Sequence, residues 1–403
     1  MWVVYLLAFL AVLSFALALW QWFGAWGFPL HQPTPGVAAA PTPDQPASIL
    51  NVTLLKPLKG WEPATATCLR SWLDQKSPGA VQILFGVASP ADPSVAGVRQ
   101  LLLDYPLADA ELIICPESLG ANAKVSTLIQ LRRRARHEIV LVSDADVLAP
   151  PTFLVHAMAP LQDPNVGLVN AFYCLANPST LAMHWEAVAI NGDFWSQVLQ
   201  GRSLAPQDFA LGAVMVTRQH QLEKIGGFER FVDHLADDFQ LGNRIARAGW
   251  QIALIPLVVE CWSPPMSWRE VWNHQLRWAR TIRVSKPLPY ALSVVSNATL
   301  WPLLWLWAQP QAAVLGAVGG LLLARTVMAH SLQNRLRPGT ARRRLSWLVP
   351  VKDLFQIALW LLAFIGNHIT WRGRRFRLAR DGRLIATGEQ SAPLWRPITE
   401  RTS

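Results

Sequence analysis

The sequence predicts an α/β domain built on a largely parallel sheet and held to a membrane by apolar segments on either side of it. Three observations predict this. Short apolar runs recur between residues 48 and 262 with helical-looking stretches between them, the alternation expected of parallel α/β folds. No Asp, Glu, Lys or Arg occurs before Asp44, and none occurs from Pro287 to Ala324. Only 15% of the 403 residues are charged and 20 are tryptophan, whereas a soluble domain is roughly a quarter charged and indole rings favour the membrane interface.

Taken in order, residues 2–23 are almost wholly apolar, long enough for a span of about 20 residues. Residues 1–28 are therefore read as an uncleaved anchor. A signal peptide cut near Ala38–Ala40 is the alternative, but the basic start and short apolar core of such peptides are missing. Residues 29–47 hold six prolines (Pro29, Pro33, Pro35, Pro41, Pro43 and Pro46) and read as an extended linker. The α/β domain is placed at 48–265. Its expected strands are Ile49–Leu55, Val81–Val87, Glu111–Cys115, Glu138–Val142, Val166–Tyr173, Leu211–Thr217 and Ile252–Val259. Pro63–Gln75 and Ser94–Asp104 are expected helices. In such a sheet, ligands sit at the carboxyl ends of the strands.

Residues 266–290 interleave Trp268, Trp272 and Trp278 with Arg269, Arg277, Arg280 and Arg283. This reads as an amphipathic helix on the membrane surface, or else as a surface helix packing its aromatics inward. Pro310 splits the uncharged stretch into 291–308 and 312–329, a membrane hairpin. A basic loop follows with Arg335, Arg337, Arg342, Arg343 and Arg344. Leu354–Gly366 is a third apolar stretch of only 13 residues, preceded by Lys352 and Asp353. Basic flanks on both of its sides predict that 347–370 is re-entrant or interfacial, and that residues 372–403 are a basic cytoplasmic tail.

The net charge of +10 is C-terminal, since residues 325–403 alone carry 15 Lys/Arg against 4 Asp/Glu. Beside apolar segments, such a bias points to a cytoplasmic, anionic-lipid-facing region. Nucleic acid is not expected as a partner, because no nucleic-acid motif accompanies the charge. Cys68, Cys115, Cys174 and Cys261 form no CxxC pair, which argues against structural zinc or a disulfide framework and for free thiols in a reducing compartment. Nothing in the sequence fixes an oligomeric state.

The chemistry lies in three clusters. Asp144-Ala145-Asp146 follows the apolar run Glu138–Val142. Two carboxylates so close repel each other, and a cation that prefers carboxylate and phosphate oxygen, Mg²⁺ or Mn²⁺, removes that cost. This predicts a metal–diphosphate site. Asp237-Asp238 offers a carboxylate free to act as a base, and His274-Gln275-Leu276-Arg277-Trp278 offers a cation for a leaving phosphate.

In this order the clusters resemble the inverting, family 2-type glycosyltransferases of the GT-A fold. Closer matches narrow the resemblance. They are Leu54-Leu55-Lys56-Pro57-Leu58-Lys59-Gly60, Asp92-Pro93, Asn122-Ala123-Lys124, Ala236-Asp237-Asp238-Phe239, Arg247-Ala248-Gly249-Trp250 and the basic Thr370–Leu378. From about residue 50 to 380 the chain resembles glycosyltransferase family 21, which includes ceramide glucosyltransferases and similar bacterial hopanoid-pathway enzymes.

The resemblance implies roles by position. Asp92 would hold the uracil or ribose of UDP, Asp144 the ribose or metal, and Asp146 the divalent metal. Asp238 would be the general base, and Arg277 with Lys124 would stabilise charge on the departing UDP. Trp278 would wall the site, and His274 stands where relatives have Gln or Arg. Asn-Ala-Lys replaces the family's Asn-Pro-Lys. The complete Asp-x-Asp favours a bacterial-type enzyme. The rival readings are structural: Asp92 as a turn or helix cap, Asp237 as a helix cap, and Arg277 as a solvated or lipid-facing charge.

The resemblance thus implies inverting transfer from a UDP-sugar, with glucose or N-acetylglucosamine as the sugar, to a lipid hydroxyl of ceramide or a bacteriohopanetetrol-like hopanoid. The expected setting is a bacterial inner membrane with the catalytic domain cytoplasmic and the phospholipid bilayer as partner. A processive polysaccharide synthase of family 2 type shares these motifs, but it needs more spanning helices than this chain offers. A catalytically silent membrane scaffold is the third reading.

Overall fold

In the computed structural model, which describes residues 1–34, 50–77, 79–339, 345–371 and 374–387, the chain opens with helix α1 (Trp2–Gly27). Then come β1 (Val52–Leu58), α2 (Thr65–Leu73), β2 (Val81–Val87), α3 (Ser94–Leu103), β3 (Ala110–Ile114), α4 (Ala123–Arg132), β4 (Ile139–Ser143) and the short β5 (Val147–Leu148). The domain continues through α5 (Phe153–Met158), β6 (Val166–Leu175), α6 (Leu181–Val188), a π-helical segment Ala189–Phe194, α7 (Trp195–Leu204), β7 (Val214–Arg218), α8 (Gln219–Lys224), α9 (Asp237–Arg247) and β8 (Gln251–Cys261).

The sheet runs in the order β3-β2-β1-β4-β7-β6-β8-β5. β1 is parallel to β2 and β4, β2 to β3, and β6 to β8. β7 is antiparallel to both its neighbours, β4 and β6, and β5 is antiparallel to β8. Side chains alternate across a strand, and both faces here are covered. Leu54, Phe85 and Leu141 join Trp72 and Phe153 in one core. Leu55, Leu84 and Val140 join Leu128, Leu241 and Ile245 in the other. Burial on both faces explains why the strands read as continuous apolar runs rather than alternating ones.

Beyond the sheet lie α10 (Trp268–Ser285), α11 (Pro287–Leu292), α12 (Leu300–Ala308), α13 (Ala312–Leu336) and α14 (Leu348–Phe364). Ser267 and Glu270 close a reciprocal capping box that starts α10. Trp272 packs on Phe355, while Trp268 touches Trp185 and Phe355 and stays partly exposed.

By length and composition, α1 and α13 can each cross a bilayer. The first arm of the expected hairpin is broken, because Pro287–Ser296 and Leu300–Ala308 are bent by 51°. Asn297 makes the break. Its side-chain oxygen accepts from Thr299 N and Leu300 N at 3.2 and 2.8 Å, and its amide donates to the Asp353 carbonyl at 2.7 Å. α14, at 17 residues, falls short of the ~20 needed to span.

The basic C-terminal segment differs from the expected tail. β9 (His368–Trp371), β10 (Arg374–Leu378) and β11 (Leu384–Ala386) form an antiparallel sheet in the order β11-β10-β9. In β10, Phe376 and Leu378 turn inward while Arg374, Arg375 and Arg377 stay exposed. Phe376, Leu378, Leu384 and Ile369 close over Leu235 of the α/β domain. Arginines alternate with the buried Phe376 and Leu378, the period of a strand with one covered face. Most of the proline-rich linker (35–49), the loop arginines 342–344 and residues from 388 onward lie outside the described residues.

Candidate active site

β1 and β4 meet at their carboxyl ends over a buried lysine. Lys56 is fully enclosed in β1. Its ammonium donates to Ser143 Oγ at 3.1 Å and to the Asp144 carbonyl at 2.6 Å, and lies 4.9 Å from the Trp72 ring centre. Burial lowers its pKa to about 8, against the opposing charge of Asp144. The turn carrying Asp144 and Asp146 is thus fastened from below by main-chain contact, which leaves the carboxylates to face the cleft.

A second lysine joins this turn to α9. Lys124 lies 2.8 Å from Asp144 and 3.0 Å from Asp237. Burial opposes its charge, but the two carboxylates outweigh burial and hold it as an ammonium. Its helix begins at Asn122, whose side chain caps Val125 N at 3.2 Å and donates to His234 O at 2.8 Å. Ala123 occupies the first helical position, where proline is also well accommodated. The departure from Asn-Pro-Lys therefore leaves Lys124 well placed.

Asp237 is the first residue of α9 and Ala236 is its cap. The capping role offered for Asp237 by sequence is replaced by the ion pair with Lys124. Asp238 follows, with Oδ1 accepting from Phe239 N at 2.7 Å. Burial and then the Asp237 charge raise the Asp238 carboxyl to about 6. Two glycines set its place. A Cβ on Gly242 would stand 2.2 Å from Ala210 N, so α9 lies directly on the 209–212 loop, and Gly212 of that loop abuts the Asp238 carboxylate.

The structure gives Asp92 a capping contact. Its Oδ1 accepts from Gly60 N and Ser94 N, both at 2.9 Å, and from Ser94 Oγ at 2.5 Å. It joins the β1–α2 loop to the start of α3 at the same edge of the sheet.

The other wall comes from α10. His274 Nδ1 lies 2.7 Å from Glu186 Oε1, and Gln275 donates to the same oxygen at 2.8 Å. Glu186 is buried in α6, so one carboxylate fixes two adjacent residues of the His-x-x-Arg-Trp segment. The Trp278 ring stacks near His274 at 4.9 Å and Phe194 at 6.2 Å, and Phe194 in turn meets Tyr173 at 5.4 Å. Arg277 is half-buried on the same helix.

Behind this wall sits a buried charge quartet. Arg325 of α13 pairs with Asp193 at 2.9 Å and with Asp353 at 3.0 Å. Lys352 pairs with Asp353 at 2.7 Å and also with Asp193. Thr299 donates to Asp353 at 2.7 Å. Two cations balance two anions, as burial requires. Asp193 immediately precedes Phe194 in the π-helical segment, a rare geometry common at functional sites.

Asp144 and Asp146 fit a divalent cation that arrives with a diphosphate. Mg²⁺-type sites use one or two carboxylates plus phosphate oxygens, and among the described residues no cluster of three His, Cys, Asp or Glu side chains offers an all-protein cage. Asp146 opens into the cleft. The walls of the cleft and then the Asp144 charge raise its pKa.

Sequence reasoning missed Lys56, Glu186, Asp193 and Arg325. A lysine inside the uncharged remainder of Val52–Leu58 was the one visible clue. The other three are single charges in apolar stretches whose partners lie far along the chain.

A family model described as Glycosyl transferase family 21 matches residues 4–384. Ceramide glucosyltransferase 3 of Caenorhabditis elegans is 23% identical over 352 residues, covering 84% of this chain and 75% of the relative. Ceramide glucosyltransferase of Candida albicans is 31% identical over 121 residues, covering 27% of this chain and 22% of the relative. Among solved structures, a Pyrobaculum calidifontis mannosyltransferase in complex with GDP-Man and Mn²⁺ superposes with TM-score 0.49 at 22% identity, covering 86% of this chain and 99% of that one. The architecture is the α/β, mostly parallel GT-A type that the resemblance implied. With its sheet, its paired acidic clusters and a family match running almost from end to end, the chain belongs to glycosyltransferase family 21.

Proposed function

We propose that the protein transfers a sugar from a UDP-sugar to a hydroxyl of a membrane lipid, with inversion at the anomeric carbon. The observation that carries this reading is Asp238. It is a half-buried carboxylate raised to about 6 and joined through Asp237 and Lys124 to the Asp144–Asp146 turn. A base poised near the working pH is best suited to take a proton in the transition state.

In this mechanism Asp238 removes the acceptor hydroxyl proton as the oxygen bonds to the anomeric carbon and the bond to the UDP oxygen breaks. Asp144 and Asp146 would hold Mg²⁺ or Mn²⁺, which when bound offsets charge on the diphosphate. Lys124 and Arg277 supply fixed positive charge on the side of the leaving group, and Asp92 orders the loop expected to meet the nucleoside. Trp278, with Phe194 and Tyr173, forms an aromatic wall on the side of α10, whose packing on α14 ties it to the membrane helices. This supports an acceptor delivered from the bilayer. Ceramide and a hopanoid polyol both meet that description, and the complete Asp-x-Asp favours the bacterial hopanoid type, in an inner membrane with the catalytic domain cytoplasmic.

The test is to incubate membranes carrying the protein with UDP-glucose or UDP-N-acetylglucosamine and identify the organic-phase product by mass. A glycolipid is expected. Asp238→Asn should lower its formation on the order of 10²–10⁴-fold. A long water-soluble chain would instead identify a polymer synthase.

A further inference from the structure

A groove of about 950 Å³ lies between α7, α9 and the α10–α11 junction. Phe239 lines it, but Asp238 and Asp144 do not. Its charged lining is Arg202, Arg247, Lys286, Asp208 and Asp381. Both carboxylates are engaged: Asp208 pairs with Lys286, and Asp381 with Arg383 at 2.7 Å. The two arginines have no carboxylate partner among the described residues. Arg202 donates to the amide oxygen of Gln207 at 2.8 Å, and burial without a counter-charge lowers its pKa.

The groove also lies close to α1, a helix long and apolar enough to cross a bilayer. Gln200, two residues before Arg202, accepts from the Gln21 side chain at 3.0 Å and donates to the Leu17 carbonyl at 3.3 Å. Leu17 is in the apolar α1, so the end of α7 stands at lipid-headgroup depth or deeper. Leu204, Leu288 and Leu292 on the flanking segments are 72%, 67% and 58% exposed. Apolar side chains there suit acyl chains, and guanidiniums held near the interface seek phosphate.

We propose that this groove seats the phosphodiester of an anionic membrane phospholipid, with Arg202 and Arg247 as its ligands. The lipid is a resident one, apart from the sugar acceptor. It would bridge the end of α7 to α9, the helix that carries Asp238 at its start.

The full chain, purified in detergent, is exchanged into mixed phosphatidylcholine and phosphatidylglycerol, and the retained lipid is measured by native mass spectrometry. The wild type should retain phosphatidylglycerol preferentially. Arg202→Gln and Arg247→Gln should each reduce that preference about fivefold, at about 1 kcal/mol per arginine near an anionic surface. Equal retention by wild type and both variants overturns the proposal. Arg247 is exposed on the last turn of α9, so its variant keeps the test decisive if Arg202→Gln fails to fold. Inorganic phosphate at millimolar concentration should not displace the lipid; displacement would mark a soluble-phosphate site and also overturn it. Lipid retention does not require sugar transfer, so this result stands or falls separately from the proposed activity.

Discussion

Gly212 and Asp238 are in direct contact: a Cβ on Gly212 would stand 2.7 Å from Oδ2 of Asp238 and 3.3 Å from its Cγ. A residue with no proposed chemistry of its own therefore fixes the position of the proposed base. Gly212→Ala should push the carboxylate aside and lower kcat roughly 10–10²-fold, since a shift near 1 Å can cost that much. Donor KM should hold. A variant with wild-type kcat would show that the Asp238 side chain is not where the reaction needs it.

The pH profile should carry the mark of the same carboxylate. With the carboxyl raised to about 6 by burial and then by Asp237, the ionised base is lost as pH falls through that value. kcat/KM should level off above it and drop about tenfold per pH unit below it. An ordinary aspartate would place this limb near 4. Asp237→Asn removes the neighbouring negative charge and should move the limb to lower pH. A flat profile from pH 5 to 7 would contradict the assignment.

Chelation should abolish transfer, and Mn²⁺ or Mg²⁺ should restore it. Asp146→Asn removes one of the two carboxylates offered to the ion, and it should raise the metal concentration for half-maximal activity by about tenfold or more. An unchanged metal titration in that variant would place the cation elsewhere.

Arg325→Met should destabilise the protein by about 3–5 kcal/mol, the usual result of stripping a buried ion pair of one partner. It leaves Asp193 and Asp353 to share Lys352. Adding Asp353→Asn restores charge balance and should recover part of the loss. Thermal unfolding in detergent measures both, and additive losses in the double variant would refute the coupling.

The sheet was legible because buried parallel strands are apolar without interruption, as in Val81–Val87, whose expected and observed limits coincide. The first strand, expected at Ile49–Leu55, lies at Val52–Leu58 with Lys56 and Pro57 inside it. Lys56 is tolerated there only because Ser143 and the Asp144 carbonyl receive its hydrogen bonds. The acidic clusters could be read directly, since strand ends and helix starts are local features. Glu186 could not, because its meaning depends on His274 and Gln275 in a different helix. The break at Asn297 was legible only in part: Pro302 in the first turn of α12 disfavours a continuous helix, but the bond that holds Asn297 goes to the Asp353 carbonyl far along the chain.

The small C-terminal sheet has a consequence for biosynthesis. Leu384 N bonds to Asp233 O at 2.7 Å and Leu235 N to Gly382 O at 3.1 Å, so the segment leading into Asp237 and Asp238 is braced by a strand translated after every membrane helix. A nascent chain has its proposed metal-binding turn and the apolar α1 long before this brace exists. A product truncated ahead of Gly382 would lose these bonds and leave the segment that carries the proposed base unsupported.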